Sequence, residues 1–268
     1  MIDLHCHILP GLDDGPKSVD LAIEMAGIAQ SDGIRKIVAT PHLFKGAFGC
    51  EDLGVIEQKR AELEGRLIEK GVSVEILAGA EVHLSHNLIP EIKEHRHYLV
   101  LNGSSYMFLE FPSDHVFSGV RDLFFELMTE GVVPIVAHPE RNTVFQQSPR
   151  LLYELVQMGA LAQANSGSLL GDFGSRAQSS VFDLLASNLI HFISSDAHNT
   201  HSKAPRLSAA RDKAAAVLGE TRANALVEDN PRAVLEDREV PFFPEPIDPG
   251  AREKTLKVKF PSFFKFKR

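Results

Sequence analysis

The chain is poor in cysteine. Cys6 and Cys50 are the only two among 268 residues, which is too few for a disulfide framework and is typical of a reducing compartment. The sequence also lacks any apolar run approaching the roughly 18 residues that a membrane span needs, and its N-terminus shows no signal-peptide pattern. These absences predict a soluble, cytoplasmic protein.

Basic residues are outnumbered as well. The 28 lysines and arginines face 36 acidic residues, so the formal net charge is −8, which disfavours general nucleic-acid binding through a basic surface. Bound metal cations would reverse the local sign of a site, so this balance does not exclude an anionic substrate. The hydrophobic fraction of 44% indicates a substantial core, and the length suits one large α/β barrel.

Short apolar, β-branched segments alternate with longer amphipathic segments, a pattern typical of repeated β-α units and a parallel sheet. The predicted strands are Ile2–Leu4, Lys36–Ala39, Val74–Ala78, Tyr106–Leu109, Val132–Ala137, Leu161–Ala164 and His191–Ser194. The predicted helices are Ser18–Ser31, Glu51–Lys70, Ser118–Glu130, Pro149–Met158, Ser175–Ala186, Pro205–Leu218 and a short Ala223–Glu228 that ends at Asn230-Pro231.

The C-terminal part of the chain differs in composition. We assign residues 1–236 to the barrel and 237–268 to a tail, which begins with a proline-rich stretch and ends in Lys254–Arg268, with six basic residues and no acidic one. We predict an arm packed on the barrel. The alternatives are an arm for an anionic partner or a membrane surface, and a disordered segment.

Two histidines stand one residue apart at the end of the first predicted strand. Alternate side chains of a strand share a face, so His5 and His7 point the same way while Cys6 points away and packs in the core. This short pattern alone fits one side of a metal site or a polar strand end facing water.

Metal-ligand residue types recur at the ends of other predicted strands: His42, Glu81, Glu110, His138, and the pair Asp196 and His198. In α/β barrels the C-terminal strand ends ring one mouth, where active sites form. Because six separate strands deliver a histidine or a carboxylate there, we predict a metal site. We expect the nearby His83 and His86 to be solvated.

The types of ligand narrow the choice of metal. Histidine and carboxylate without thiolate suit Mn²⁺, Fe or Zn²⁺ rather than a structural cysteine-zinc site. The candidates exceed what one ion can use, so we expect two or three ions. A carboxylate has two oxygens, which makes Glu81 or Glu110 the natural bridge between ions.

Six segments occur in a fixed order between Met1 and about Val234: MIDLHCHILPGLDDG, VATPH, LAGAEV, FLEFP, AHPER and SSDAHN. Together they resemble the polymerase-and-histidinol-phosphatase (PHP) domain. More narrowly, they resemble bacterial metal-dependent protein-tyrosine phosphatases that are encoded with capsular and exopolysaccharide genes. The resemblance implies a distorted (β/α)₇ TIM-like barrel with three metal ions, for which manganese usually supports activity and Fe, Zn²⁺ or Mg²⁺ are alternatives.

The resemblance also implies which residues hold each ion. The first ion would be held by His5, His7, Glu81 and Asp196, the second by Glu81, Glu110 and His138, and the third by Asp14, His42 and His198. Asp14 is implied by the resemblance alone, because Asp13-Asp14-Gly15 reads equally well as a turn.

Arg141, shortly after His138, matches a phosphate-binding arginine of these phosphatases. A second basic residue is expected where relatives carry arginine before proline; this chain reads Lys203-Ala204-Pro205, with Arg206 next. Lysine keeps the charge but loses the bidentate fork of arginine. We expect Arg141, Lys203 and Arg206 to bind substrate, with Arg141 contributing to catalysis.

A thiol phosphatase is excluded by the spacing of the cysteines. It needs Cys-X₅-Arg, yet the residue six positions after Cys6 is Leu12 and that after Cys50 is Ile56. The expected chemistry is therefore attack on phosphorus by a metal-bound hydroxide. A phenolate leaving group with a pKa of about 10 needs less protonation than an alkoxide, so no general acid is named.

The predicted function is a metal-dependent protein-tyrosine phosphatase. Its expected substrate is the tyrosine-rich tail of a bacterial tyrosine autokinase that controls capsular or exopolysaccharide synthesis, and a homo-oligomer is compatible with the sequence. The alternatives are a small-molecule PHP phosphatase, such as histidinol-phosphate phosphatase, and a non-catalytic PHP scaffold. The second alternative is disfavoured because no ligand position has been lost.

Overall fold

The computed structural model describes residues 1–46, 49–50, 52–84 and 88–252, so the predictions for His86 and for Lys254–Arg268 lie outside the described residues. Its strands are β1 Ile2–Cys6, β2 Lys36–Ala39, β3 His42–Leu43, β4 Glu75–Ala78, β5 Glu81–His83, β6 Tyr106–Glu110, β7 Val133–Ala137, β8 Leu161–Asn165 and β9 Phe192–Ser194.

The helices lie between and after these strands. They are α1 Val19–Ser31, α2 Leu53–Lys70, α3 Leu88–Leu99, α4 Val120–Thr129, α5 Thr143–Gln147, α6 Pro149–Gln157, α7 Ser166–Leu170, α8 Gly174–Ala186, α9 Ser208–Leu218, α10 Glu220–Asn224, α11 Asn230–Leu235 and α12 Pro249–Arg252. A π-helical turn, Ala225–Asp229, joins α10 to α11. No helix within the described ranges combines the length and the apolar character needed to cross a membrane.

All strand pairs are parallel, in the orders β1-β2-β4 and β3-β5-β6-β7-β8-β9. Only two residues separate β2 from β3, and only two separate β4 from β5, so each pair forms one bent strand that belongs to both sheets. At the second bend a Cβ on Gly79 would lie 2.5 Å from Val38 Cγ1, which favours glycine where the strands approach. The result is seven strand positions, each followed by helix, and it confirms the predicted (β/α)₇ barrel.

The ring closes between its first and last strands. Cys6 pairs in parallel with Ala197, and the backbone N–H of His7 donates to the carbonyl of Ala197 at 2.9 Å. β1 is irregular there, because the pairing with β2 shifts between Asp3 and Cys6. Such a bulge turns consecutive side chains toward the same side, so Leu4 and then His5 face the interior.

The core has two layers. The smaller cluster contains one face of the strands, including Leu4, Tyr106, Phe108 and Phe192. The larger cluster contains the alternate strand residues, such as Met107 and Leu109, together with the buried faces of the surrounding helices. The smaller cluster therefore fills the barrel interior. Cys6 belongs to the outer layer, as the alternation of side chains predicted.

The largest errors in the predicted helix boundaries are in the last two predicted helices. The helix predicted to start at Pro205 begins at Ser208, because the carboxylate of Asp32 accepts hydrogen bonds from the backbone N–H groups of Leu207 (2.6 Å) and Ser208 (2.9 Å) and so caps α9 from a distant loop. The helix predicted to end at Asn230-Pro231 continues to Leu235. Pro231 lies in the first turn of α11, where its missing N–H is tolerated.

The described part of the tail runs along the end of the barrel opposite the mouth. The hydroxyl of Tyr106 donates to the carbonyl of Arg238 at 2.7 Å, and the side chain of Asn188 donates to the carbonyl of Glu245 at 2.7 Å. The backbone N–H of Ile247 donates to the carbonyl of Ser187 at 2.9 Å. The division of the chain at residue 236 itself stays a prediction.

Candidate metal centre

The mouth of the barrel holds nearly all the side chains that the sequence singled out. His5 lies in β1, His42 begins β3, Glu81 begins β5 and Glu110 ends β6. His138 follows β7, Asp196 and His198 follow β9, and Asp14 lies in the loop after β1. His138 (φ 32°) and Asp196 (φ 50°) have left-handed backbone conformations, which turn their side chains toward the centre. A cavity of about 440 Å³ opens above them.

One cluster lies deepest in the barrel. The Nε2 atoms of His5 and His7 are 3.2 Å apart, and each lies 3.3 Å from Glu81 Oε2. Asp196 Oδ1 completes the group, 3.6 Å from His5 Nε2 and 3.4 Å from His7 Nε2. Two ring nitrogens this close need a proton or a cation between them, and these four residues are the set that the resemblance implies for the first ion.

The carboxylate of Glu81 is the centre of the arrangement. Its Oε2 atom is buried and accepts no hydrogen bond from the described residues, although His42 Nδ1 approaches it to 2.8 Å. A buried carboxylate oxygen is ordinarily hydrogen-bonded. An oxygen that imidazole nitrogens surround without bonding to it fits the position of a metal ligand.

A second cluster, nearer to the solvent, contains His42, Glu81 and Glu110. His42 Nδ1 lies 3.5 Å from Glu110 Oε2. His138, which the resemblance implies for this ion, contacts the other oxygen of Glu81, with Nε2 at 3.0 Å from Oε1. The structure therefore groups Glu81 and Glu110 with His42, and it places His138 beside the opposite oxygen of Glu81.

The third cluster contains His7, Asp14, His42 and His198. Asp14 Oδ1 lies 3.2 Å from His198 Nε2 and 3.5 Å from His42 Nε2. These are the three residues that the resemblance implies, with His7 in addition. Because His7, His42 and Glu81 each belong to two clusters, the three groups are continuous.

Hydrogen bonds on the outer side of the rings fix which nitrogen faces the centre. Asp13 Oδ2 accepts from His7 Nδ1 at 2.7 Å, and the carbonyl of Asp196 accepts from His198 Nδ1 at 2.8 Å. Both acceptors require a proton on Nδ1, so Nε2 is the nitrogen that can present a lone pair inward to a cation. Asp13 was not predicted, since it reads as part of a turn. Gly15, two residues after Asp13, packs against the backbone of His7, because a Cβ there would lie 2.4 Å from the carbonyl oxygen of His7.

The electrostatics of these groups follow from their neighbours. Burial opposes charge on His7, but the nearby Asp13 carboxylate and its hydrogen bond raise the pKa of His7 well above its usual range. Burial likewise opposes charge on Glu81, yet the imidazoles of His5, His138 and His42 hold the pKa of Glu81 well below its usual range. The centre therefore favours ionised carboxylates facing imidazoles.

Cationic side chains line the cavity above the clusters. Arg141 Nη1 donates to Asp196 Oδ2 at 2.9 Å, and the guanidinium lies 4.4 Å from the centre of the Phe173 ring. Lys203 lines the same cavity. Arg206 lies outside it: it lines a shallow hollow beside α1 and, with Lys203, a small cavity next to Phe173.

Two further residues at the mouth were missed from the sequence. Lys45 Nζ lies 2.7 Å from Glu110 Oε1 and 3.0 Å from His42 Nε2. His83 was expected to be solvated; 24% of its side chain is exposed, it lines the cavity, and its Nδ1 also lies 3.3 Å from Glu110 Oε2. Its position two residues after Glu81, on the same face of β5, is the signal that could have identified it.

The cysteines take no part in this centre. Both are buried, and Cys6 points away from the cavity between the two histidines. Burial, followed by the nearby Asp3 carboxylate, raises the pKa of the Cys6 thiol well above its usual range. A thiolate nucleophile is therefore disfavoured by the structure as well as by the spacing.

The imidazole and carboxylate donors described above, with no thiolate among them, fit a centre for divalent transition metals. The orphaned oxygen of Glu81 and the facing lone pairs of the histidines are satisfied if cations lie between them. The residues present therefore fit a group of metal ions.

Comparisons with known proteins agree with this architecture. Residues 1–236 match the family described as "Capsular polysaccharide synthesis, CpsB/CapC". The chain is 42% identical over 203 residues to "Tyrosine-protein phosphatase YwqE" of Bacillus subtilis (strain 168), covering 76% of this chain and 79% of that protein. It is 41% identical over 199 residues to "Putative tyrosine-protein phosphatase CapC" of Staphylococcus aureus, covering 74% and 77% of the two chains.

A solved structure shares the whole fold. One chain from the crystal structures of YwqE from Bacillus subtilis and CpsB from Streptococcus pneumoniae, described as "unique metal-dependent tyrosine phosphatases", superposes with a TM-score of 0.88 at 36% identity. The match covers 92% of this chain and 99% of that chain. The chain belongs to the CpsB/CapC family of capsular polysaccharide synthesis proteins.

Proposed function

We propose that this chain is a metal-dependent protein-tyrosine phosphatase. The observation that carries the proposal is the carboxylate of Glu81, whose buried Oε2 lies within 3.3 Å of the ring nitrogens of His5, His7 and His42 without a hydrogen bond. A group of cations at the mouth of a barrel, below a cavity that carries further positive charge, suits a substrate with a phosphate group. The names of the relatives indicate that this phosphate is on tyrosine.

The ligand sets follow the clusters. We assign the first ion to His5, His7, Glu81 and Asp196, the second to Glu81, Glu110 and His138 with His42 adjacent, and the third to Asp14, His42 and His198. Histidine with carboxylate suits Mn²⁺, with Fe, Zn²⁺ or Mg²⁺ as alternatives. When bound, such ions lower the pKa of water for attack on phosphorus and neutralise charge on the phosphate oxygens.

Arg141 holds the phosphate in this proposal. Its Nη1 is bonded to Asp196 and its face lies on Phe173, so the guanidinium is fixed before substrate enters and keeps other N–H groups for a phosphate oxygen. Lys203 lines the same cavity and supplies a second charge. Its loop is held by the backbone N–H of His198, which donates to the carbonyl of Lys203 at 3.0 Å. Arg206 lies further out, so we give it a secondary role.

We propose a phosphotyrosine protein as the substrate, and specifically the tyrosine-rich tail of a bacterial autokinase that controls capsular or exopolysaccharide synthesis. The cavity opens to solvent at the barrel mouth, where a flexible peptide tail has access. A chain with only two cysteines, Cys6 and Cys50, is typical of a reducing compartment, so we place its action in the cytoplasm. A homo-oligomer is compatible with this function.

The full chain, treated with EDTA and then reloaded with Mn²⁺, tests the proposal. We expect hydrolysis of a phosphotyrosine peptide only after reloading, with a higher kcat/KM than for histidinol phosphate or a phosphoserine peptide. Preference for histidinol phosphate would identify a small-molecule phosphatase instead. Full metal occupancy with no turnover of any phosphate ester would identify a scaffold.

A further inference from the structure

Strand β8 contributes no histidine or carboxylate to the mouth, yet two of its side chains contact the centre. Gln163 and Asn165 are two residues apart and share a face of the strand, and both are 0% exposed. Burying an amide without partners costs free energy, so their contacts need an explanation. Every described contact of the two side chains leads toward the candidate ligands or to the other amide.

The side chains of the two amides, His5 and Asp196 form a single chain of hydrogen bonds. Gln163 Oε1 lies 3.2 Å from His5 Nδ1, Gln163 Nε2 donates to Asn165 Oδ1 at 2.9 Å, and Asn165 Nδ2 donates to Asp196 Oδ2 at 2.6 Å. The chain thus joins two residues of the deepest cluster behind their metal-facing atoms.

The direction of this chain is fixed at both ends. The carboxylate of Asp196 can only accept, so Asn165 must present its NH₂ group there and its oxygen to Gln163. Gln163 must then present its NH₂ group to Asn165 and its oxygen to His5. Independently, the backbone N–H of His138, which can only donate, points at Gln163 Oε1 at 3.4 Å. Both ends therefore require the proton of His5 to be on Nδ1.

We propose that Gln163 and Asn165 are positioning residues that fix the tautomer of His5 and reserve one oxygen of Asp196 for metal. With the proton on Nδ1, the lone pair of His5 Nε2 faces Glu81 Oε2. Asp196 Oδ2 is occupied by Asn165 and Arg141, whereas Oδ1 faces His5, His7 and His198. The inference rests on the proposed metal site but not on the identity of the substrate.

Two substitutions test the proposal by removing the hydrogen-bond chain without changing the net charge of the protein. Gln163→Met keeps a side chain of similar length without its hydrogen bonds, and Asn165→Leu, whose branched end has nearly the shape of the amide, removes those of Asn165. We expect Mn²⁺ to bind about ten- to a hundred-fold more weakly in either variant, the usual effect of losing a partner behind a metal ligand. Isothermal titration of EDTA-treated protein with MnCl₂ measures this affinity, and Asn165→Ser is the substitute if Asn165→Leu does not fold.

Asn230 provides a matched control at the opposite end of the barrel. It is also 0% exposed, and its side chain bonds the backbone of His191 and Phe242. Asn230→Leu should lower the melting temperature of the metal-free protein about as much as Gln163→Met does, but should leave Mn²⁺ affinity unchanged. Equal affinities in wild type, Gln163→Met and Asn165→Leu would overturn the proposal.

The tautomer of His5 provides a second, independent test of the proposal. In the Zn²⁺-loaded wild type, which is diamagnetic, long-range ¹H–¹⁵N correlation spectra should show the proton of His5 on Nδ1. A proton on Nε2 would contradict the proposal. Neither measurement uses a substrate, so failure on phosphotyrosine would reject the proposed activity while affinity and tautomer still decide this inference.

Discussion

The buried histidines at the mouth of the barrel and the buried His191 at the opposite end differ in what surrounds their ring nitrogens. At the mouth, the Nε2 atoms of His5 and His7 face the same unbonded oxygen of Glu81. At the other end, His191 Nδ1 accepts from the backbone N–H of Ala162 at 3.0 Å, while its Nε2 has no partner among the described residues and its ring stacks on Phe243.

The comparison shows that an unpartnered buried atom does not by itself indicate a metal site. Within the described ranges no carboxylate faces His191, and burial lowers the pKa of His191 to about 3, so its ring stays neutral and structural. At the mouth, carboxylates surround the imidazoles, and the pKa of His7 is raised despite its burial. Several donors aimed at one point distinguish the mouth from the opposite end.

We expect the largest loss of activity from substitution of Asp196, which can be compared with Asp237 because the two aspartates share a left-handed backbone conformation. Asp196 and Asp237 both have φ of 50°, but Asp196 belongs to the deepest cluster, whereas Asp237 accepts hydrogen bonds from Ser105 at the other end. Asp196→Ala should abolish phosphotyrosine hydrolysis, by on the order of 10³-fold or more, because metal-assisted catalysis contributes several kcal/mol. Circular dichroism should show an intact fold.

Asp237→Ala is the control for that change. It removes a carboxylate from the same backbone geometry, so it should lower stability while kcat/KM stays near the wild-type value. Steady-state kinetics and metal analysis of both variants decide the comparison. Near wild-type turnover of Asp196→Ala at saturating Mn²⁺ would remove Asp196 from the site.

The next effect concerns the guanidinium of Arg141. Arg141→Lys keeps the charge but loses the planar fork, and the lost hydrogen bonds to an ionised phosphate should cost about 1.5–3 kcal/mol, or roughly ten- to a hundred-fold in kcat/KM. Arg150→Lys, on the exposed face of α6, is the matched control and should have no effect. Metal content should not change in either variant, since neither side chain ligates as a cation.

Lys203 should matter less than Arg141, because it already lacks the fork. We expect Lys203→Ala to weaken binding of phosphotyrosine peptide less than Arg141→Ala does, and Lys203→Arg to be tolerated or mildly improving. Kinetics with the peptide measure both. If Arg141→Lys behaves like wild type, Arg141 is a structural residue and Lys203 becomes the main phosphate ligand.

At the opposite end of the barrel, we expect the titration of His191 to change the stability of the protein rather than its activity. The pKa of His191 falls from the usual 6.5 to about 3 on folding, so the unfolded chain binds the proton more tightly and stability is lost as the pH falls below 6.5. At pH 5 this linkage amounts to about 2 kcal/mol. His191→Asn offers an oxygen in the place of Nδ1 without titrating.

Urea denaturation at pH 7 and pH 5 tests this expectation. The difference in unfolding free energy between wild type and His191→Asn should change by about 2 kcal/mol between the two pH values, in the direction that disfavours the wild type at pH 5. The mouth histidines are present in both proteins, so their titration cancels. A difference that does not depend on pH would mean that His191 accepts a proton in the folded state.

The sequence predicted the parts of this structure that depend on local pattern. Alternating apolar segments predicted the barrel, and the helix predicted over Ser18–Ser31 is α1, which Ser18 caps by accepting from Leu21 N–H at 3.3 Å. Strand ends such as Glu81 and Asp196 were identified by residue type and position. The helix α3 was missed because its segment is rich in charge, although Leu88, Ile92 and Leu99 lie at helical spacing and are buried.

What the sequence did not predict depends on contacts between distant segments. Asp13 becomes important only because it lies behind His7, and Lys45 only because it reaches Glu110. Gln163 and Asn165 carry no ligand signature, since amides are common at strand ends. Their role is visible only when β8 stands between β7 and β9, which a single sequence does not give.

We expect the smallest change in activity from substitution of the two cysteines, because neither side chain is among the candidate metal ligands. Cys6 separates His5 from His7, yet its side chain packs in the outer core at 0% exposure, and Cys50 donates to the carbonyl of Asp52 at 3.2 Å. Alanine at both positions should keep phosphatase activity within a few-fold of wild type, while the cavity left by each sulfur costs about 1 kcal/mol of stability. This is the reverse of Asp196→Ala, which should remove activity and keep the fold. A folded double variant with full metal content and no turnover would require a thiolate in the reaction and would overturn the metal-dependent mechanism.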